Sequence, residues 1–483
     1  MSGNDSGLVT RLTLVATLGG LLFGYDTAVI SGAVGAIDAY FIAPQGLGET
    51  AANSLAGFTV SSALFGCILG AMISGAVSTR YGRRAALILA AALFLVSSVG
   101  SALPELGLGA IGAMGPDALL PFILYRILGG IGIGLASMVS PLYIAEIAPR
   151  EARGRLVSCN QMAIVIGIVL VYFVNWWIAR QGDSAWLHAS GWRWMFASAA
   201  LPAGLFLALL MAVPDTPRSL VFRGREAEAQ GLLQRLNGAE EGARTLAEIR
   251  DSLVERTQPL LSFGGKVLVV GIMLSVLQQA VGINAVLYYA PTIFQNMGAT
   301  GDTALLQTVL VGSVNLLATL IAIFTVDRWG RKPLLILGGL QMGLAMAALA
   351  VCFQVQALGS TALLAVLVYI AGFALSWGPV TWVLLAEIFP NSIKGKALSI
   401  AVAAQWLANL AVTWSFKVLD GNSWLISLFN HGFTYWLYAV VSVLSAVFVA
   451  RMVPETKGRS LESIEGFWTR RPSAAPAADT AKA

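Results

Sequence analysis

The chain has 483 residues, of which 57% are hydrophobic and 11% charged, with a mean hydropathy of +0.76. Soluble domains average about 45–50% apolar and about 25% charged, so the composition excludes a disordered chain, a secreted disulfide scaffold and an ordinary cytosolic enzyme. It leaves a polytopic α-helical protein of the lipid bilayer, whose net charge of +5 is scattered among loops and gives no footprint for nucleic acid.

A helix needs about 20 mostly apolar residues to cross a bilayer. Such runs occur at 9–37, 54–77, 85–103, 119–146, 156–178, 192–213, 266–294, 305–325, 333–353, 361–388, 397–418 and 432–452, predicting twelve spans. The first begins near Leu12 and is too long for the apolar core of a signal peptide. Of the 30 lysines and arginines, only Arg180, Arg193 and Lys417 fall at the outer side and only Arg126 lies in a span away from its ends. That asymmetry places both termini in the cytoplasm. Between spans six and seven, residues 218–258 carry fourteen charges. There Leu246, Ile249 and Leu253, at i, i+3 and i+7, predict at least one amphipathic helix. The Pro-, Ala- and Ser-rich tail after Arg459 is expected to be disordered. The three cysteines and two histidines have no metal-ligand spacing, so neither metal nor cofactor is expected.

The chain repeats itself. Arg80-Tyr81-Gly82-Arg83-Arg84 returns as Arg328-Trp329-Gly330-Arg331-Lys332. Ala145-Glu146-Ile147-Ala148-Pro149 returns as Ala386-Glu387-Ile388-Phe389-Pro390, and Val213-Pro214-Asp215-Thr216 as Val453-Pro454-Glu455-Thr456. Three matches in one order at nearly one offset indicate duplication. The expected architecture is an all-α membrane protein of two six-helix pseudo-repeats: bundles at 1–213 and 266–454, a cytoplasmic helical linker at 214–265, and a tail at 455–483. Carriers built from parallel repeats bind substrate between the halves near the bilayer midplane. The repeated charged segments fall at the cytoplasmic face, where they could pin the halves together.

Asp26 lies inside span one and Arg126 inside span four. A charge at the bilayer centre costs at least about 2.5–3.5 kcal/mol, so such a group is a functional candidate by default. Burial favours the neutral form of a carboxyl, and a nearby guanidinium favours the charged form. A carboxylate whose arginine moves with conformation can load a proton in one state and release it in another; the alternative is a static pair that fixes helix packing. The other polar residues in the spans are mainly amides and aromatics. Gln161, Ile164 and Ile168 share one helical stripe, and Gln405 and Asn409 share another beside Trp406. Gln278, Gln279 and Asn284 surround Gly282, and Gly378-Pro379 precedes Trp382. Amides offer an acceptor and two donors to hydroxyls, whereas a phosphorylated or acidic ligand would require clustered Lys or Arg. The expected substrate is neutral. The amides could also act as helix–helix glue, worth about 0.6 kcal/mol each.

These residues resemble the signatures of the sugar porter family of the major facilitator superfamily. The likeness runs from Gly24-Tyr25-Asp26-Thr27 to Pro454-Glu455-Thr456-Lys457-Gly458 and is most specific in Gln278-Gln279-Ala280-Val281-Gly282-Ile283-Asn284-Ala285-Val286-Leu287-Tyr288-Tyr289. Trp377-Gly378-Pro379-Val380 and Ala403-Ala404-Gln405-Trp406-Leu407-Ala408-Asn409 are most similar to the family's bacterial D-xylose–proton symporters. The resemblance implies alternating-access symport of a monosaccharide, D-xylose, with a proton, in a bacterial inner membrane, by a monomer. It implies proton coupling at Asp26 and Arg126. It implies sugar contacts at Phe23, Gln161, Ile164, Ile168, Gln278, Gln279, Asn284, Tyr288, Asn315, Gly378, Trp382, Gln405 and Trp406. It implies an inner gate of Arg83, Glu146, Arg153, Asp215, Arg331, Glu387 and Lys394, whose ion pairs would close the inside. Two positions depart from the pattern: Thr79 stands where the family usually has Asp or Asn, and Ile168 where the xylose symporters carry a second glutamine. An apolar residue at 168 is similar to the family's glucose carriers.

A hexose–proton symporter and a facilitative uniporter are therefore the alternatives within the class, and Asp26 argues against the second. A membrane enzyme would need a nucleophile, a base or a di-acid at depth, and the sequence shows none. A sugar-sensing receptor would need a longer cytoplasmic tail, and a channel a continuous pore.

Overall fold

The computed structural model of the chain describes residues 6–149, 152–254, 259–390, 393–457 and 468. Among the described residues the elements are all helical, and twelve helices are long and apolar enough to cross a bilayer. In the first half they are Gly7–Gln45, Glu49–Tyr81, Arg83–Ala102, Gly115–Ile147, Arg155–Ala179 and Ser184–Met211. In the second they are Gly265–Tyr288, Gly301–Val326, Arg331–Gln354, Ser360–Ile388, Lys394–Asp420 and Phe433–Met452. The Arg153 side chain and the tail after Arg459, Trp468 excepted, lie outside the described residues.

Two boundaries move for a physical reason. Span one runs past the charged Asp38, where the apolar run stops, because Asp38 is paired: its Oδ2 accepts from Lys417 Nζ of the opposite half at 2.6 Å. Phe41, one turn on, packs edge-on to Trp192 at 5.5 Å. Span six starts early because the Asp183 side chain caps its first turn, accepting from Trp186 N at 2.8 Å. In the linker the structure forms three helices, Pro217–Phe222, Glu226–Asn237 and Ala239–Val254. Leu232, Leu233, Leu236 and Leu246 are buried there, and Arg250 pairs with Glu226. Ile249 is partly buried against the core, and the Leu253 side chain lies outside the described residues.

Spans one and five touch backbone to backbone. A Cβ on Gly24 would run into the Ile164 carbonyl, and one on Gly167 into the Leu21 carbonyl. Small residues permit that approach.

The halves are tied at their outer ends. Besides Lys417–Asp38, the Asn53 amide donates to Gly421 O at 2.9 Å, Ser423 N to the Glu49 carboxylate at 2.7 Å and Trp414 Nε1 to Ser54 O at 2.9 Å. Just beyond, Asp420 Oδ1 lies 3.1 Å from His431 Nδ1 and Oδ2 accepts from the Asn296 amide at 3.1 Å. The Asp420 hydrogen bond raises His431 above the ordinary 6.5, against the opposing effect of burial. A raised histidine contributes stability in full below its unfolded value, and loses it as pH rises through the folded one. The melting-temperature gap between wild type and His431→Gln should therefore be wider at a pH of about 5.5 than at about 9. An equal gap at both would remove His431 from this role.

Candidate functional site

Span seven carries the densest polar sequence, and its helix breaks there. Gly282 takes φ +94°, which only glycine adopts without strain, and the chain resumes as Ile283–Tyr288 and then Ala290–Asn296. Span ten breaks too, at Ser376 with φ −133° and ψ −85°, between Ser360–Leu375 and Trp377–Ile388. Gln278 joins the two breaks: its Nε2 donates to Trp377 O at 2.9 Å and to Gly378 O at 3.3 Å. Gln278 Oε1 accepts from Gln405 Nε2 at 2.7 Å and from Gln279 Nε2 at 3.2 Å. Gln279 Oε1 in turn accepts from Asn284 Nδ2 at 2.7 Å. Four amides and two loosened backbones thus form one chain of hydrogen bonds in a low-dielectric interior, where each bond counts for more than in water.

The chain of amides faces the first half through an aromatic pair. Phe23 and Trp406 lie 5.6 Å apart between ring centroids, tilted by 52°. Gln405 Oε1, Trp406 Nε1 and the Tyr288 hydroxyl are buried without a protein partner. Buried polar atoms are normally paired, so these three are where a polar ligand could bond. Ile168 and Asn315 are buried, and Gln161, Ile164 and Trp382 are half-buried. The structure links these to the network through their helices: span five meets span one at Gly24–Ile164, and Asn315 lies one turn from Gly312, which packs on Tyr172 of span five.

Asp26 and Arg126 form one pair. Arg126 Nη1 reaches both carboxylate oxygens, at 3.1 and 3.2 Å, and Nη2 donates to the Asp26 backbone carbonyl at 3.3 Å. The two residues are 2% and 1% exposed. The guanidinium also lies 5.4 Å from the centroid of the Phe196 ring. Removing one member of so buried a pair leaves the other uncompensated, at a cost of about 3–5 kcal/mol. The pair is held within the first half.

The three repeated segments converge on one cluster in each half. In the first, Gly82 turns at φ +98°, Asp215 Oδ1 accepts from Arg83 N and Arg84 N at 3.0 and 3.1 Å, and Arg83 Nη2 meets Glu146 Oε1 at 2.9 Å. Thr216 Oγ1 donates to Glu146 Oε2 at 2.5 Å. In the second, Gly330 turns at φ +89°, Glu455 accepts from Arg331 N and Lys332 N at 3.2 and 3.0 Å, and Arg331 Nη2 meets Glu387 Oε1 at 2.9 Å. Thr456 Oγ1 donates to Glu387 Oε2 at 2.5 Å. Asp215 and Glu455 thus each sit on a helix N-terminus, where the macrodipole favours an anion. These ion pairs hold each repeat together and do not cross to the other half. Lys394 is half-buried and, among the described residues, forms no ion pair with Glu387.

Residues 12–468 match the model of the family described as sugar (and other) transporter. The chain belongs to this family. It is 55% identical over 476 residues to the D-xylose-proton symporter of Escherichia coli, covering 96% of each chain. It is 48% identical over 471 residues to the glucose facilitated diffusion protein of Zymomonas mobilis, covering 97% of this chain and 99% of that one. Among solved structures, the inward open conformation of the E. coli xylose transporter matches with a TM-score of 0.87 at 52% identity, covering 95% of this chain and 100% of that chain. The same proton:xylose symporter bound to 6-bromo-6-deoxy-D-glucose matches with a TM-score of 0.83 at 54% identity, covering 96% of this chain and 100% of that chain. The sugar porter fold, of twelve spans in two six-helix repeats, is therefore that of this protein.

In the sequence, nothing marks the roles of Thr216 and Thr456, although both lie in the repeated segments, or of Glu105, Tyr40 and Tyr172. Arg193, read there as an outer charge, is buried: its Nη1 and Nη2 meet the two Glu105 oxygens at 2.8 and 2.7 Å, and Nη2 donates to the Tyr40 hydroxyl at 3.1 Å. No local pattern marks that partnership, because Glu105 is 88 residues away.

Proposed function

We propose that this protein carries D-xylose into a bacterial cell together with a proton, by alternating access across the inner membrane, with both termini cytoplasmic and the monomer as the working unit. The observation that carries the reading is the joint presence, in one member of the family, of the buried Asp26–Arg126 pair and the amide chain centred on Gln278. The sugar's hydroxyls bond Gln161, Gln278, Gln279, Asn284, Asn315 and Gln405, and Phe23, Trp382 and Trp406 cover its apolar face. Proton exchange at Asp26 is governed by Arg126. The inner clusters of Arg83, Glu146, Asp215, Arg331, Glu387 and Glu455 brace each half so that it moves as a rigid body. The likeness to the D-xylose-proton symporter of E. coli supports the sugar and the coupling. The test is xylose-driven alkalinisation of the medium around proteoliposomes. Xylose uptake without proton movement would return the facilitative reading.

One residue favours a hexose as a second substrate. Ile168 is buried on span five, one turn from Tyr172, whose hydroxyl reaches Leu287 of the opposite half; an amide at 168 would bond a hydroxyl and an isoleucine cannot. A site built to hydrogen-bond a hydroxyl discriminates more sharply than an apolar one, so Ile168→Gln should raise the preference for xylose over glucose in competitive uptake. An unchanged ratio would show that position 168 does not face the sugar.

A further inference from the structure

The stripe of span five that carries Gln161, Ile164 and Ile168 continues outward, at helical spacing, to Tyr172. This side chain is 1% exposed and crosses to the other half. Its hydroxyl donates to the backbone carbonyl of Leu287 in span seven at 2.8 Å. A carbonyl inside a helix normally accepts from the N–H four residues on. Here that residue is Pro291, which has none. The proline leaves the Leu287 oxygen without its helical donor, and a phenol from the opposite half takes it. The ring fits because span eight presents Gly312 there: a Cβ at that position would lie 2.9 Å from Tyr172 Cδ2. Outward of this contact, a cavity of about 300 Å³ opens between the ends of spans one, five, seven and eight, with Ser31, Thr292 and Asp302 in its lining.

We propose that Tyr172 is a positioning residue for the transport cycle: its bond to the proline-freed carbonyl of Leu287 latches the outer part of span seven, with Asn284 and Tyr288, against the first half, and so closes the floor of the outer cavity above the sugar site. When span seven swings away, both the phenol and the carbonyl regain water. The bond therefore stabilises only the arrangement in which the outside is closed. Breaking it leaves a buried acceptor unpaired in that state alone, and the population moves towards outside-open by a factor of about five or more.

The experiment reads access from outside. Ser31→Cys is introduced into a Cys159→Ser background, and the rate of labelling by a membrane-impermeant maleimide is measured in intact cells. Tyr172→Phe, which removes one oxygen, should speed labelling at position 31 about fivefold or more. Pro291→Ala restores an N–H to Leu287 and draws its carbonyl back into the helix, so it should also speed labelling with Tyr172 intact. Because both changes act on one bond, the double variant should label no faster than Tyr172→Phe alone. Cys67, buried within the first half, should stay unlabelled throughout. Unchanged labelling in Tyr172→Phe, additive effects in the double variant, or labelling of Cys67 alongside position 31 would each overturn the latch. The inference rests on the alternating-access reading but not on the identity of the sugar or on proton coupling. If neither added xylose nor added glucose alters labelling at position 31 in the otherwise unaltered protein, alternating access itself fails. If either sugar alters it and Tyr172→Phe does not, only the latch fails.

Discussion

Asp26→Asn should abolish accumulation of sugar against a gradient while sparing sugar binding and exchange. A membrane potential supplies about 2.3 kcal/mol per elementary charge per 100 mV. At about 1.4 kcal/mol per tenfold, one proton moving with a neutral sugar concentrates it about 45-fold per 100 mV. Asparagine keeps the shape of a protonated aspartate but has no proton to release, so the loaded form persists and the link to the gradient is cut. The geometry adds a second expectation. Arg126 Nη1 bonds both Asp26 oxygens, and Nη2 reaches the Asp26 carbonyl. Arg126→Ala therefore removes a charge partner and a backbone tie together, and should lose transport more broadly than Asp26→Asn. Proton-driven uptake measured beside counterflow in proteoliposomes separates the outcomes. Accumulation by Asp26→Asn under a proton gradient would place the coupling group elsewhere.

The next largest effect belongs to Gln278. Its Nε2 holds the carbonyls of Trp377 and Gly378, and its Oε1 accepts from Gln405 and Gln279. Gln278→Ala removes a donor and an acceptor at once and leaves buried groups on spans seven, ten and eleven unpaired. Loss of a partner to a buried polar group costs about 1–3 kcal/mol, or about 5–150-fold in affinity. Calorimetry with xylose should show a loss in that range. Gln161→Ala should lose less: Gln161 is only half-buried, and none of the amide-chain bonds passes through it. Equal losses in the two variants would mean that the network around Gln278 does not shape the site.

The fold was legible because lipid leaves a long apolar chain few solutions: backbone polar groups must be satisfied inside the protein, and a helix does so for nearly all of its own. Length and hydropathy therefore located the spans, and only their ends shifted. Span one ran on through Asp38 because a lysine 379 residues away pairs with it. The duplication was legible because it is written in residues, and the structure shows why those residues recur. Thr216 and Thr456 hold Glu146 and Glu387, and Asp215 and Glu455 sit on the first amides of spans three and nine.

By itself, the sequence determined the twelve spans, the six-plus-six repeat and the presence of Asp26 and Arg126 at depth. All three are local patterns read along the chain. Tertiary structure decided which groups meet. That Gln278 is the hub of the amides depends on two helix breaks facing each other across 99 residues. That Tyr172 matters depends on Pro291 having stripped the Leu287 carbonyl of its donor, and on the two residues lying side by side although 115 positions separate them. Hydropathy records which solvent a segment prefers. It carries no record of which buried donor meets which buried acceptor, because in a low-dielectric interior that pairing is set by packing geometry.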